Sequence, residues 1–299
     1  MMRIKDTVML LMLAALWGAS FLFMRVAVPV LGPIVLIDLR VLIAAIALLL
    51  YAGLLRQRPR LRHRWRAYLL LGACNAAIPF CLIAAAELSM TASLAAILNS
   101  MTPLFAAIIA SIWLKEKLTL QKALGLLLGI AGVTVLMSWN MQHEAANANH
   151  WGAVWMSLGA ALFYGIGGIY SAQAFREEQP LNLAIGQQLA AALLLLPFAL
   201  FHLPTALPNA AVIGSVLALA VLSTALGYLL YFRLILNVGA VRTVSVTFLV
   251  PIFGIVWGWM FLSEALSVGM LLGLSIILLG VGLVMGLTFK RRRADRSSL

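Results

Sequence analysis

Ten apolar stretches, each about the length of a bilayer-crossing helix, follow one another along this chain and leave almost no room for anything else. A spanning helix needs roughly 20 apolar residues to cross about 30 Å of hydrocarbon. Windows of that kind fall at 7–26, 34–55, 67–86, 91–113, 122–139, 151–172, 181–201, 209–232, 241–262 and 268–289. Sharp punctuation divides them, such as Arg56-Gln57-Arg58-Pro59, Glu177-Glu178-Gln179-Pro180 and the Leu203–Pro208 run. Hydrophobic residues make up 64% of the chain and charged residues 10%. Soluble domains run at roughly 45–50% and 25%, so the excess apolar surface here has to face lipid. The expected fold is an all-α integral membrane protein of ten transmembrane helices with short loops. Residues 1–6 are too short for a cleaved signal peptide. Cys74 and Cys81 lie on one helix seven residues apart, too far for a disulfide.

The net charge of +12 does not point to nucleic acid, because the basic residues sit in short runs between the apolar stretches. Short-loop Lys and Arg set orientation. With the N-terminus in the cytoplasm, nineteen basic residues fall on the inner side. They include the six arginines from Arg56 to Arg66, the three lysines Lys115, Lys117 and Lys122, and the tail from Lys290 to Arg296. Arg25 alone falls outside, and Arg40 lies within the second span. A miscounted helix in mid-chain would invert everything downstream and destroy this split. Both termini are therefore expected inside, with the Arg56–Arg66 cluster and the tail resting on anionic lipid.

The chain also resembles itself at an offset of 148 residues. Pro103 precedes Glu116 by thirteen residues, with Gly125 and Gly132 following. Pro251 precedes Glu264 by thirteen, with Gly273 and Gly280 following. Trp17-Gly18 and Tyr164-Gly165 match more loosely at an offset of 147. The halves, 1–146 and 147–299, each hold five spans, and an odd number forces the second half to enter inverted. Inverted repeats are characteristic of secondary transporters, since two similar halves of opposite orientation supply two states of nearly equal energy. A duplication that only builds a stable bundle is the simpler alternative.

The run Leu39-Arg40-Val41-Leu42-Ile43-Ala44-Ala45 resembles the second-span signature of the drug/metabolite transporter superfamily, EamA type. Asn99-Ser100-Met101-Thr102-Pro103-Leu104-Phe105 with Trp113 to Thr119 resembles that family's repeat, as does Val250-Pro251-Ile252-Phe253 with Leu262 to Ser267. The resemblance covers nearly the whole chain. It implies a bacterial inner-membrane exporter of amino acids, aromatic ones included, or of related metabolites and drugs. It also implies a central cavity between spans 1, 3, 4, 6, 8 and 9.

Polar groups at bilayer depth are costly, so those present are candidates for lining a cavity. The third span offers Asn75 and Pro79, and the fourth Asn99, Ser100 and Thr102. The eighth offers Ser223, Thr224, Tyr228 and Tyr231, and the ninth Ser245 and Thr247. Trp17, Ser20, Tyr164 and Tyr170 come from the first and sixth. Spans 2, 5, 7 and 10 read as mostly smooth Leu, Ala, Ile and Gly. Small hydroxyls can equally bond their own preceding turn, and Trp and Tyr can sit at interfaces. An aromatic, hydroxyl-rich lining without a midplane acid suits a neutral, hydrophobic or aromatic amino acid better than a phosphorylated sugar.

Asp38 and Arg40 read as an ion pair anchoring the end of the second span. Glu116 and Glu264 read as structural helix ends. Pro103 and Pro251 leave the carbonyls of Asn99 and Thr247 without a helical partner, and are expected to act as hinges across the cavity. The matched Gly125 and Gly273 suggest that spans 5 and 10 pack as scaffold. No His, Asp, Glu or Cys cluster supports a membrane enzyme, a metal or a cofactor. A channel is a third class, separated from a carrier by whether flux saturates. The expected partners are a small-molecule substrate and lipid, with the chain working as a monomer.

Overall fold

The computed structural model describes residues 3–57, 59, 61–143, 148–204 and 207–286, and every regular element among them is helical. Eight helices are long and apolar enough to cross a membrane. They are α1 (Ile4–Leu54), α2 (Arg62–Ala86), α3 (Ala92–Trp113), α4 (Leu120–Trp139), α5 (His150–Ala174), α6 (Pro180–Phe201), α7 (Ala210–Val238) and α8 (Arg242–Leu262). A ninth, α9 (Val268–Val284), is apolar but has only 17 residues. Large apolar side chains such as Leu127, Ile130, Phe198, Phe201, Trp259 and Phe261 stay exposed. Such an apolar surface belongs in lipid. The C-terminal tail, Arg58 and Arg60 lie outside the described residues.

The first two expected spans join in α1. Its 51 residues contain a break at Gly32, with φ 70° and ψ 161° and with Pro29 and Pro33 on either side. A glycine takes that backbone without the clash a Cβ brings. The arms fold back on each other, because Arg40 Nη1 lies 3.6 Å from Met24 Sδ. Sixteen residues along a straight helix would separate them by about 24 Å.

The seam between α4 and α9 carries the repeat symmetry. A Cβ added at Gly125 would lie 2.6 Å from the Gly280 carbonyl oxygen, and one at Gly280 would lie 2.5 Å from that of Gly125. Gly132 and Gly273 meet in the same reciprocal way, at 2.9 and 3.0 Å. Early residues of one helix touch late residues of the other, so the pair runs antiparallel. The contacts exchange under the 148-residue offset, as a two-fold relation between the halves requires. Glycine is needed here because the backbones approach closer than any side chain permits.

Three spans are irregular in their interiors. α2 passes through a π-helical segment at Ala73–Ala77, and α7 through one at Ala218–Leu226. These overlap under the repeat offset, and the residues just beyond them, Pro79 and Gly227, correspond. π-turns widen a helix locally and are frequent at functional sites. α3 is two helices, Ala92–Asn99 and Thr102–Trp113, joined by a turn.

Candidate substrate-binding site

Polar side chains from these irregular segments converge on one place in the bundle. On α7, Thr224 donates to the Leu219 carbonyl at 2.8 Å, a bond the π-turn makes available. Its oxygen accepts from Arg40 Nε at 3.0 Å. Ser223 donates to the Leu16 carbonyl at 2.7 Å, tying α7 to α1. One turn on, Tyr228 hydroxyl accepts from Gln187 Nε2. The Gln187 oxygen in turn accepts from Asn75 Nδ2 at 2.8 Å. Asn75 sits in the π-segment of α2 with Gly167 packed tightly on it. α2, α6 and α7 thus share one hydrogen-bonded chain.

Aromatic rings enclose this chain. Trp17 meets Tyr228 edge-on at 6.4 Å and Tyr231 at 5.4 Å between centroids. It fits because residue 227 is glycine, where a Cβ would stand 2.7 Å from Trp17 Nε1. Phe80 lies against Tyr164 at 6.0 Å, and its face carries the Arg40 guanidinium, 3.5 Å from guanidinium carbon to centroid. That is a close cation–π contact. Trp17, Asn75, Tyr164 and Tyr228 are only half-buried, whereas Pro79, Ser223, Thr224 and Arg40 are buried.

Other expected site residues fall outside this network. Ser245 and Thr247 hydroxyls donate to their own helix, at 2.6 Å to the Arg242 carbonyl and 2.9 Å to that of Val244. The Asn99 carbonyl accepts from Thr102 Oγ1 at 2.8 Å, which satisfies the group that Pro103 leaves free. The Asn99 side-chain oxygen is buried with no partner among the described residues. Pro103 stands at the break in α3, in the first turn of Thr102–Trp113. Pro251 lies inside Val246–Leu262, and the nearest interruption is at Ser245. Tyr170 packs with Trp113 and Phe175, apart from this group.

Two expectations from the sequence need correcting. Asp38 and Arg40 do not pair. Residues two apart on a helix point about 200° apart, and the single ion pair among the described residues joins Lys122 to Glu116. Nor are the second and seventh spans smooth, since they bury Arg40, Gln187 and Gln188. The available signals were one basic residue well inside an apolar span and a Gln-Gln step inside another, both costly in hydrocarbon. Among the described residues no group of three His, Cys, Asp or Glu could hold a metal ion.

A second polar contact ties the turn after α8 to the start of α3. Glu264 accepts from the Ala92 amide at 2.7 Å, the Ser93 amide at 3.0 Å and the Ser93 hydroxyl. It therefore caps the first half of α3, where free amides and the helix dipole favour a carboxylate. Gly258 admits it, because a Cβ there would stand 2.4 Å from the Glu264 oxygen. The residue before Glu264, Ser263, is left-handed at φ 55°, and its repeat counterpart Lys115 is left-handed at φ 54°. The same local turn thus presents Glu116. Yet Glu116 is half exposed and bonds only Lys122, at 2.9 Å. One carboxylate is latched onto another helix and its counterpart bonds a lysine six residues along its own chain.

The model of the EamA-like transporter family matches this chain twice, over residues 6–138 and 150–286. The chain belongs to the EamA-like transporter family. The two matches follow one another along the chain, with Gly125 and Gly132 in the first and Gly273 and Gly280 in the second. Relatives extend over nearly the full length. The "Uncharacterized transporter YvbV" of Bacillus subtilis is 26% identical over 284 residues, 94% of this chain and 92% of that one. A "Probable amino-acid metabolite efflux pump" of Salmonella typhimurium is 27% identical over 308 residues, covering 98% and 99%. A "Probable terminal-alkyne amino-acid exporter" of Streptantibioticus cattleyicolor is 26% identical over 296 residues, covering 98% and 97%. A solved crystal structure shares the fold with a TM-score of 0.67 at 18% identity, over 96% of this chain and 98% of that one. This EamA-like chain is thus a multi-pass membrane transporter built from two repeats.

Proposed function

We propose that this transporter exports neutral, hydrophobic or aromatic amino acids across the bacterial inner membrane by alternating access. The observation that carries the reading is the half-buried Trp17–Tyr228 pair, bonded from Tyr228 through Gln187 to Asn75, with Tyr164 against Phe80 beside Arg40. Aromatic walls suit an apolar side chain, and amide and hydroxyl groups suit the polar end of an amino acid. Relatives named as amino-acid exporters support the same class. Truncating a ring that stacks on the substrate removes about 1.5 kcal/mol. Trp17→Ala and Tyr164→Ala are each expected to weaken apparent affinity for phenylalanine about tenfold. Uptake by reconstituted variants of normal membrane content checks this, and unchanged affinity in both would remove these rings from the site.

In this reading α1 is split at Gly32 and α9 is counted as a span, which makes ten crossings, and the loop charges set both termini in the cytoplasm. On that topology Glu264 lies outside and Glu116 inside, and the reading takes the Glu264 contact with Ala92 and Ser93 as what closes the exterior side. In the opposite state Glu264 releases and Glu116 engages, with bending at Pro103 and Pro251. Single cysteines at Asn147 and Thr205, both outside the described residues, are expected to react with an impermeant thiol reagent applied outside. Cysteines at Gln57 and Gln179 are expected to stay unlabelled. Reversal at any one of these positions would break the proposed topology there.

A further inference from the structure

Arg40 is a buried cation held in no ion pair among the described residues. It retains 5% exposure, and among the described residues no carboxylate lies within ion-pair distance of it. An ionised guanidinium taken out of water costs several kcal/mol unless a counter-charge or a full set of acceptors replaces the solvent. Of its five N–H donors, Nε goes to Thr224 and one Nη1 bond goes to the Met24 thioether, a weak acceptor. Phe80 covers a face of the guanidinium, which leaves the in-plane Nη edge to be matched. The ring hydroxyls of Tyr164 and Tyr228 and the buried Glu87 carboxylate belong to the same electrostatic neighbourhood, though Glu87 lies beyond ion-pair distance.

Holding the helix in place does not account for the charge. The repeat counterpart of Arg40, at the 148-residue offset, is Gln188, equally buried on α6. The fold therefore seats a neutral amide at that position in one half and a cation at the other. Arg40 also faces the aromatic group that the proposed function assigns to the substrate.

We infer that Arg40 is the docking point for a carboxylate on the transported molecule, whose two oxygens take the free Nη edge while Phe80 fixes the guanidinium plane. The planar fork matches a carboxylate bidentately. The substrate class is thereby narrowed to molecules that join a carboxylate to an apolar or aromatic body. Amides and decarboxylated amines of the same shape are rejected, because they leave the buried guanidinium unmatched. This rests on the proposed site, though not on the ammonium group of an amino acid.

The test is equilibrium binding to the purified full chain in nanodiscs, with two matched pairs of probes. L-phenylalanine is compared with L-phenylalaninamide, and phenylacetate with phenylacetamide. Wild type is expected to prefer each acid over its amide by roughly ten- to a hundredfold, the range of a charge-assisted bond. Arg40→Gln brings both ratios to within about threefold, and Arg40→Lys keeps a reduced preference, since it retains charge but not the fork. The wild-type comparison stands even if Arg40→Gln does not fold. Equal binding of acid and amide by wild type, or an acid preference surviving in Arg40→Gln, overturns the inference. If phenylacetate binds through Arg40 and phenylalanine does not, the carboxylate site stands and the amino-acid reading fails. If no carboxylate binds, the inference falls whatever is transported.

Discussion

The Glu264→Ala variant is expected to loosen the end of the bundle where Glu264 holds the start of α3. Glu264 accepts three hydrogen bonds from Ala92 and Ser93, two of them backbone amides at the first turn of a helix. Charge-assisted bonds of this kind contribute about 2–3 kcal/mol when lost together with the favourable helix-end position. A shift of that size changes the ratio of two states about 30- to 150-fold, enough to reverse a modest preference. The Ala92–Asn99 segment should then exchange its amide hydrogens faster by a similar factor, measured by mass spectrometry on protein in nanodiscs. Glu116→Ala, which removes a carboxylate bonded only to Lys122, should leave that segment as protected as in the wild type. Equal protection of Ala92–Asn99 in wild type and Glu264→Ala would show that the latch holds nothing closed.

Gly132→Leu is expected to damage folding more than any single change at the substrate site. A Cβ at residue 132 would already lie 2.6 Å from Ile277 Cγ1 and 2.9 Å from both the Gly273 oxygen and the Ile277 amide nitrogen. Two of these three neighbours are backbone, so no rotamer change relieves the contact and the helices have to separate. Overpacking of this kind costs about 3 kcal/mol or more, and the antiparallel seam of α4 and α9 is where the halves meet symmetrically. Gly53→Leu is the matched control, because nothing lies within 4 Å of a Cβ there. The midpoint of thermal unfolding in detergent should fall by at least about 5 °C for Gly132→Leu and stay within about 1 °C for Gly53→Leu. Similar midpoints for the two variants would mean that the seam tolerates separation.

The apolar spans and the repeat were legible in the sequence because lipid imposes a length and an offset exposes duplication. Gly125 and Gly273 were recognisable as packing residues for the same reason, since their spacing survives in both halves. Trp17, Asn75, Tyr164, Thr224 and Tyr228 could be picked out by polarity at depth, and the fold brings them together. Arg40 was legible but misread. With Asp38 two residues away it suggested a pair, and only the helical phase of the second arm of α1 shows that their side chains diverge. The π-segments at 73–77 and 218–226 left no sequence signal, because a single widened turn changes no periodicity that composition can report. The two prolines looked equivalent, yet the chain breaks beside Pro103 and runs through Pro251. Identical residues at equivalent positions take different local structure when the two halves occupy different conformations.

The central claim, that this chain is an alternating-access carrier of neutral amino acids, is tested most directly by counterflow in proteoliposomes. Vesicles loaded with unlabelled phenylalanine should take up external labelled phenylalanine transiently above equilibrium, with a rate that saturates with concentration. Flux that rises linearly without trans-stimulation would indicate a channel, and vesicles that move sugar phosphates but no neutral amino acid would contradict the account.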